Sequence, residues 1–190
     1  MIPIIEDGWE YNDDYPCDTQ FIEYLSGLGL EKMNKVTIFH MGPGIHHKVG
    51  LWAMEQKNIF VRSISITPIE VKEYISIATE NPWLNSRYLV DFGDIHLIEE
   101  KLLPKFDFIS LFHLGEISSQ IYEVDYPSKN IESVIGMMSR RLSIGGELLF
   151  YNKSVAWKTI KPIVELSMYS MYSYKESGFA DLSVYKKEVL

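Results

Sequence analysis

The chain has 190 residues, 46% of them hydrophobic and 23% charged, with one cysteine and a formal net charge of −8. That is ordinary composition for a single globular domain spanning 1–190; it excludes disordered or membrane composition, and one cysteine excludes an internal disulfide or a cysteine zinc site. No apolar run approaches the ~20 residues that span a bilayer, and the N-terminus carries acids where a signal peptide has bases, so a cytoplasmic protein with no membrane partner is expected.

Residues 1–31 hold eight acids, Glu6, Asp7, Glu10, Asp13, Asp14, Asp18, Glu23 and Glu31, and no Lys or Arg. The whole net charge therefore lies in this segment, read as a solvated acidic arm with a covering helix. If it borders a site, it repels phosphate backbones, which argues against nucleic acid and for a neutral or cationic small molecule. Trp9, Tyr11 and Tyr15 within it could form an aromatic lid or simply pack on the domain.

From Thr19, the spacing of Phe21, Ile22, Tyr24, Leu25 and Leu28 predicts a helix that ends at Gly27 and Gly29. Val36–Phe39 is a buried strand running into Gly42-Pro43-Gly44, and Ile45–Gln56 reads as the first crossover helix. Ile59–Ile66 is a second strand. Thr67-Pro68-Ile69-Glu70 then looks like a capped helix start, with Thr67 as cap, Pro68 in the first turn and Glu70 returning a bond to the cap. That helix should run to Glu80 and stop at Asn81-Pro82.

Arg87–Phe92 is a third strand, closed by Gly93-Asp94. Leu97–Leu103 suits a short helix, Phe106–Phe112 a fourth strand, and Asn130–Leu142 a helix. Ser143-Ile144-Gly145-Gly146 is read as a turn into a fifth strand, Glu147–Tyr151. Next come a helix from Val155 to about Ile163, a strand-like run Ser167–Tyr174, a turn at Lys175–Gly178 and an alternating strand around Leu182 and Val184. Strand and helix alternate as in a doubly wound, mostly parallel α/β sheet with helices on both faces, ending in an antiparallel hairpin.

This order resembles the class I S-adenosylmethionine-dependent methyltransferases over about residues 20–187. The resemblance rests on the Gly-x-Gly loop after the first strand, the Gly-Asp after the third and the Leu142-Ser143-Ile144-Gly145-Gly146 run before the fifth. It implies a seven-stranded sheet and S-adenosylmethionine as cofactor. In that family the first loop packs on the methionine part, an acid ending strand two binds the ribose hydroxyls, and an acid after strand three meets adenine. Carried over, the loop is Gly42 and Gly44, and the adenine position is Asp94 with Ile95 beside it. Ser65 stands at the ribose acid's position. Two further departures are His40, where the family has an acid, and His46, where it has a small residue.

All five histidines fall just past strand ends, the edge where open α/β sheets bind ligands. His40 and His46 are candidates for holding the cofactor or the loop itself. His113, after strand four, is the candidate base for deprotonating a methyl acceptor. A metal held by several histidines with Asp94 or Glu116 is disfavoured, because on a helix His46 and His47 would point about 100° apart. The leading expectation is methyl transfer to a small molecule. Two other readings stay open: a non-catalytic binding or assembly module, and an enzyme using the same crevice for another nucleotide-like ligand. Tyr and Met residues of 167–174 would suit a homodimer contact.

Overall fold

The computed structural model describes residues 8–10, 12–13, 16–116, 129–170 and 172–188. Tyr11, Tyr15, Glu6, Asp7 and Asp14 of the acidic arm lie outside the described residues, as do residues 117–128. Seven strands form one sheet in the order β3-β2-β1-β4-β5-β7-β6, mostly parallel with antiparallel C-terminal strands and helices around it. The fold expected from the strand and helix order is therefore present. No helix among the described residues is long and apolar enough to cross a membrane. The chain divides into two compact units, 1–93 and 94–190.

In the first unit, helix α1 (Cys17–Gly27) precedes β1 (Val36–Met41), α2 (Lys48–Glu55), β2 (Ile59–Ser65), α3 (Pro68–Glu80) and β3 (Tyr88–Phe92). β1, β2 and β3 pair in parallel, with His40 opposite Ser63 and Met41 opposite Ile64. Val36, Ile38 and Phe39 are buried, the near-continuous apolar run of a strand covered on both faces. α1 buries Cys17, Asp18, Phe21 and Leu25 along one stripe. Asp18 thus leaves the solvated arm in which its neighbours suggested it would lie. α2 begins at Lys48 rather than Ile45, because His47 takes a left-handed backbone (φ 46°) that ends the loop.

In the second unit, β4 (Phe106–Ser110) pairs in parallel with β5 (Leu142–Tyr151), and β5, β7 (Leu182–Lys187) and β6 (Tyr174–Phe179) pair antiparallel. Helix α4 (Ile131–Arg141) starts where the Asn130 side chain accepts from the Ser133 N–H at 2.8 Å. The segment before β4 holds a single 3₁₀ turn, Glu100–Leu102, in place of the short helix expected from Leu97.

Three local expectations are overturned. Gly145 and Gly146 form no turn outside the strand. β5 runs through them as a bulge, the register jumping from Phe106↔Leu142 to Phe108↔Glu147, with Gly145 at φ 79°. The run Ser167–Tyr174 is not a strand: α5 (Trp157–Tyr169) extends through its start, because Trp157, Ile160, Val164 and Met168 share one buried face. Met168 and Tyr174 are buried, which removes two of the side chains that suggested a homodimer contact there. Lys175–Gly178 lies within β6, and the hairpin turns instead at Ala180 and Asp181, since Phe179 pairs with Leu182.

Candidate functional site

In the first unit, β1 delivers its carboxyl end to the glycine loop. Gly42 and Gly44 have φ of 72° and 62°, which only glycine adopts readily, and the Gly42 N–H donates to the Ile64 carbonyl at 3.1 Å. His40 is fully buried in β1, its ring stacked on Phe21 at 6.1 Å between centroids and its Nε2 3.5 Å from Asp18 Oδ1. His46 Nδ1 lies 3.7 Å from Asp18 Oδ2 and accepts from the Lys48 N–H at 3.3 Å. Asp18 of α1 therefore supplies, from another element, a carboxylate beside the position where the resemblance calls for an acid.

Burial lowers the His46 pKa below its ordinary value, against the opposing pull of Asp18. His46 is consequently neutral at pH 7, as its acceptor role toward the Lys48 N–H requires. Its ring covers the loop: a Cβ added to Gly44 would stand 2.6 Å from His46 Nε2. His47 is a structural anchor. Its Nδ1 accepts from the Tyr88 hydroxyl at 2.7 Å and its Nε2 donates to the Glu70 carbonyl at 2.8 Å, an arrangement that uses both ring nitrogens of one neutral tautomer.

Ser65 ends β2 and is buried. Its hydroxyl lies 2.6 Å from Glu70 Oε2 and 2.8 Å from Thr67 Oγ1. Neither Thr67 nor Glu70 performs the capping expected of them; the Thr67 side chain makes no cap hydrogen bond, and the Glu70 carboxylate turns back toward Ser65 and Trp9. The Trp9 N–H donates to Glu70 Oε1 at 3.1 Å, while the Trp9 carbonyl accepts from the Ile45 N–H at 2.9 Å. The same carbonyl would stand 2.9 Å from a Cβ on Gly44. A strap of backbone at residues 8–9 thus lies across the glycine loop and reaches the end of β2.

In the second unit, Asp94 is 7% exposed; its Oδ1 accepts from the His96 N–H at 2.8 Å, and its Oδ2 is buried with no hydrogen-bond partner among the described residues. Ile95 is buried beside it. His96 is held elsewhere, its Nδ1 donating to the Lys129 carbonyl at 2.5 Å. His113 Nδ1 lies 3.0 Å from Glu116 Oε2, and the Ser154 hydroxyl donates to Glu116 Oε1 at 2.6 Å. Burial pushes the Glu116 carboxyl up, but the hydrogen bond and charge of His113, with Ser154 and a backbone donor, bring it below its ordinary pKa. An ionised Glu116 clamped by Ser154 orients the His113 ring, as a base-orienting group must. No group of three or more His, Cys, Asp or Glu placed to hold a metal ion occurs among the described residues.

Asp18, Glu70 and Ser154 were not singled out as site residues by the sequence, and Trp9, read from its ring as part of an aromatic lid or simple packing, reaches the site through its backbone. The one available signal was Glu70 three residues after Thr67, a spacing that fits a capping box equally well.

Each unit by itself carries a feature suited to a polar group of a nucleoside: in the first, a buried carboxylate at the end of β2 beside a glycine loop whose φ values favour glycine, and in the second, a buried carboxylate oxygen of Asp94 left without a donor among the described residues.

No family model matches the chain, and no curated protein matches it by sequence. Among solved structures it is similar to the N-methyltransferase NodS from Bradyrhizobium japonicum WM9 in complex with S-adenosyl-L-homocysteine, at TM-score 0.57 and 16% identity over 92% of this chain and 89% of that one. It is similar to an O-methyltransferase family protein from Burkholderia thailandensis, at TM-score 0.56 and 11% identity over 90% of this chain and 56% of that one. The chain thus spans little more than half of the Burkholderia protein. The [4+2]-cyclase SpnF is similar at TM-score 0.56 and 15% identity, over 90% of this chain and 66% of that one. These likenesses establish the class I methyltransferase fold.

Proposed function

We propose that the chain is an S-adenosylmethionine-dependent methyltransferase acting on a small molecule. The observation that carries the reading is the unsatisfied Oδ2 of buried Asp94, because a buried carboxylate oxygen without a donor costs about 1–3 kcal/mol unless a ligand supplies one. A ligand amine, such as the exocyclic amine of adenine, is a donor of the right kind, with Ile95 as apolar wall. In the first unit, Gly42 and Gly44 give the loop backbone that admits a ligand closely, and His40, His46 and Asp18 hold that loop in shape. Ser65 acts through the carboxylate it positions.

S-adenosylmethionine, when bound, supplies an electrophilic methyl group on sulfonium. His113 takes the proton of the acceptor's O–H or N–H group, and Glu116, fixed by Ser154, holds the imidazole in orientation and stabilises its charge. The acceptor is a neutral or cationic small molecule, in keeping with the acidic N-terminal segment.

A second reading, a non-catalytic binding module, is favoured by one observation: the Trp9 carbonyl and the His46 ring both lie against Gly44. The likeness to a [4+2]-cyclase adds that proteins of this fold carry other named activities. Isothermal titration with S-adenosylmethionine and S-adenosylhomocysteine decides between them. Heat of binding with either ligand is expected, and silence with both at millimolar concentration overturns the methyltransferase reading in favour of the module.

A further inference from the structure

We infer that Glu70 is the carboxylate that takes the vicinal hydroxyls of a nucleoside ligand, and that the backbone of Trp9 is a latch the ligand must displace; the inference rests on the methyltransferase reading above. Three observations carry it. Glu70 is fully buried, yet its carboxylate stands at the carboxyl end of β2 rather than facing solvent from the first turn of α3. One oxygen is held by Ser65 at 2.6 Å and the other by the Trp9 N–H at 3.1 Å. Trp9 also offers its backbone carbonyl to the Ile45 N–H of the glycine loop at 2.9 Å, so the backbone of one residue, through the peptide groups on either side of it, joins the β2 carboxylate to the β1 loop.

The Trp9 backbone presents one donor to Glu70 and one acceptor to the loop. A ligand bearing hydroxyls and a separate acceptor makes the same two bonds. The exchange forms and breaks hydrogen bonds only: one O–H of the diol replaces the Trp9 N–H on Oε1, the other donates to an open lone pair of the same carboxylate while Ser65 keeps its own on Oε2, and the Ile45 N–H passes to a ligand acceptor. A buried carboxylate cannot surrender a donor without replacement, so the ligand must bring a donor of its own, which the hydroxyls of a nucleoside sugar supply. A phosphate at the same place would meet Glu70 charge to charge, so the ligand carries an unphosphorylated diol.

The strap's fit is tight. A Cβ on Gly8 would stand 2.5 Å from Ile45 Cγ2 and 2.7 Å from Ile69 Cγ2 but 3.4 Å from Glu70 Cγ, so Gly8→Val strains the strap against the two isoleucines and weakens the latch while meeting only the Glu70 stem.

The test uses the full chain and S-adenosylhomocysteine as probe. Titration calorimetry should show Glu70→Gln binding at least tenfold weaker than the parent and Gly8→Val binding several-fold tighter. In the parent chain, the Trp9 amide should exchange its hydrogen at least tenfold faster at saturating probe than in its absence, the reverse of ordinary ligand protection. Near-UV circular dichroism verifies that each variant is folded, and the Trp9 exchange measurement needs no variant. Equal affinity in folded Glu70→Gln, or unchanged Trp9 exchange at saturation, overturns the inference and leaves the methyltransferase reading standing. Absence of binding to both the parent and Gly8→Val overturns the two together.

Discussion

The Ser65 hydroxyl donates to the Glu70 carboxylate at 2.6 Å, so the end of β2 carries an acid that its own backbone position lacks. His40 stands in a similar relation to Asp18 of α1, with 3.5 Å between Nε2 and Oδ1. At the two positions where the resemblance calls for an acid and the chain lacks one, a polar residue is present and a buried carboxylate reaches it from another element. Ser65→Ala removes one donor from Glu70 and should cost about 1–3 kcal/mol of stability, read as a lowered urea midpoint with an unchanged slope. An unaltered midpoint contradicts the pairing.

His46 and His47 both have pKa values lowered chiefly by burial, so the folded state resists their protonation. The unfolded chain binds protons on them from about pH 6.5 downward while the folded chain does not. Stability should therefore fall as pH drops below about 6.5 and level off once the folded values are passed. Urea unfolding at a series of pH values between 7.5 and 5 measures the slope. His47→Phe, which takes one partner from the Tyr88 hydroxyl and the imidazole donor from the Glu70 carbonyl, should lower stability at pH 7 by about 2 kcal/mol and flatten the slope.

Gly50 of α2 faces the Tyr88 ring so closely that an added Cβ would overlap it. Helix propensity alone makes Gly→Ala favourable by up to about 1 kcal/mol. Overpacking should win here, because Tyr88 is fully buried and its hydroxyl is held by His47. Gly50→Ala should destabilise by roughly 1–3 kcal/mol, seen as a lowered Tm.

The His113–Glu116 pair is accessible to a double-mutant cycle with His113→Ala and Glu116→Gln. A coupling of about 1 kcal/mol is expected at pH 7. Since the folded-state pKa of Glu116 is depressed, its contribution is present above its unfolded value near 4.5 and is lost as pH falls through the lower, folded value. The coupling measured at pH 7 should therefore disappear at strongly acid pH, and one independent of pH contradicts an ionised Glu116.

Lys187 is buried, its amine donating to the Ser139 and Leu142 carbonyls at 2.8 and 3.2 Å and lying 3.5 Å from the Tyr172 ring centroid. Burial, with the charge of Lys105, moves its pKa from 10.5 to about 8. The folded chain releases this proton before the unfolded chain does, so stability rises with pH from about 8 toward 10. Above pH 10 the buried tyrosines oppose it: Tyr174, pushed up to about 12, and Tyr88 and Tyr185, also raised by burial, keep protons that the unfolded chain loses. Stability relative to Lys187→Met should grow by roughly 2 kcal/mol between pH 8 and 10, as measured by denaturant unfolding.

The architecture was legible because it rests on local signals. Hydrophobic periodicity placed β1, β2, α3 and α4, and Asn130 and Pro68 marked two helix starts. Where two patterns compete locally, periodicity misled. Ser143–Gly146 carries every mark of a turn, yet β5 pairs with β4 on both sides of it and absorbs the excess residues as a bulge. Tyr and Met of 167–169 have strand composition, yet the buried stripe of α5 continues through Met168.

The sequence by itself determined the α/β class, the glycine loop after β1 and the set of candidate residues, since these follow from spacing along one chain. Only the tertiary structure decided which charges the site contains. Asp18 lies 22 residues before His40, and Trp9 lies 61 residues before Glu70; a buried carboxylate finds its donors wherever packing brings them, and linear spacing holds no record of that choice.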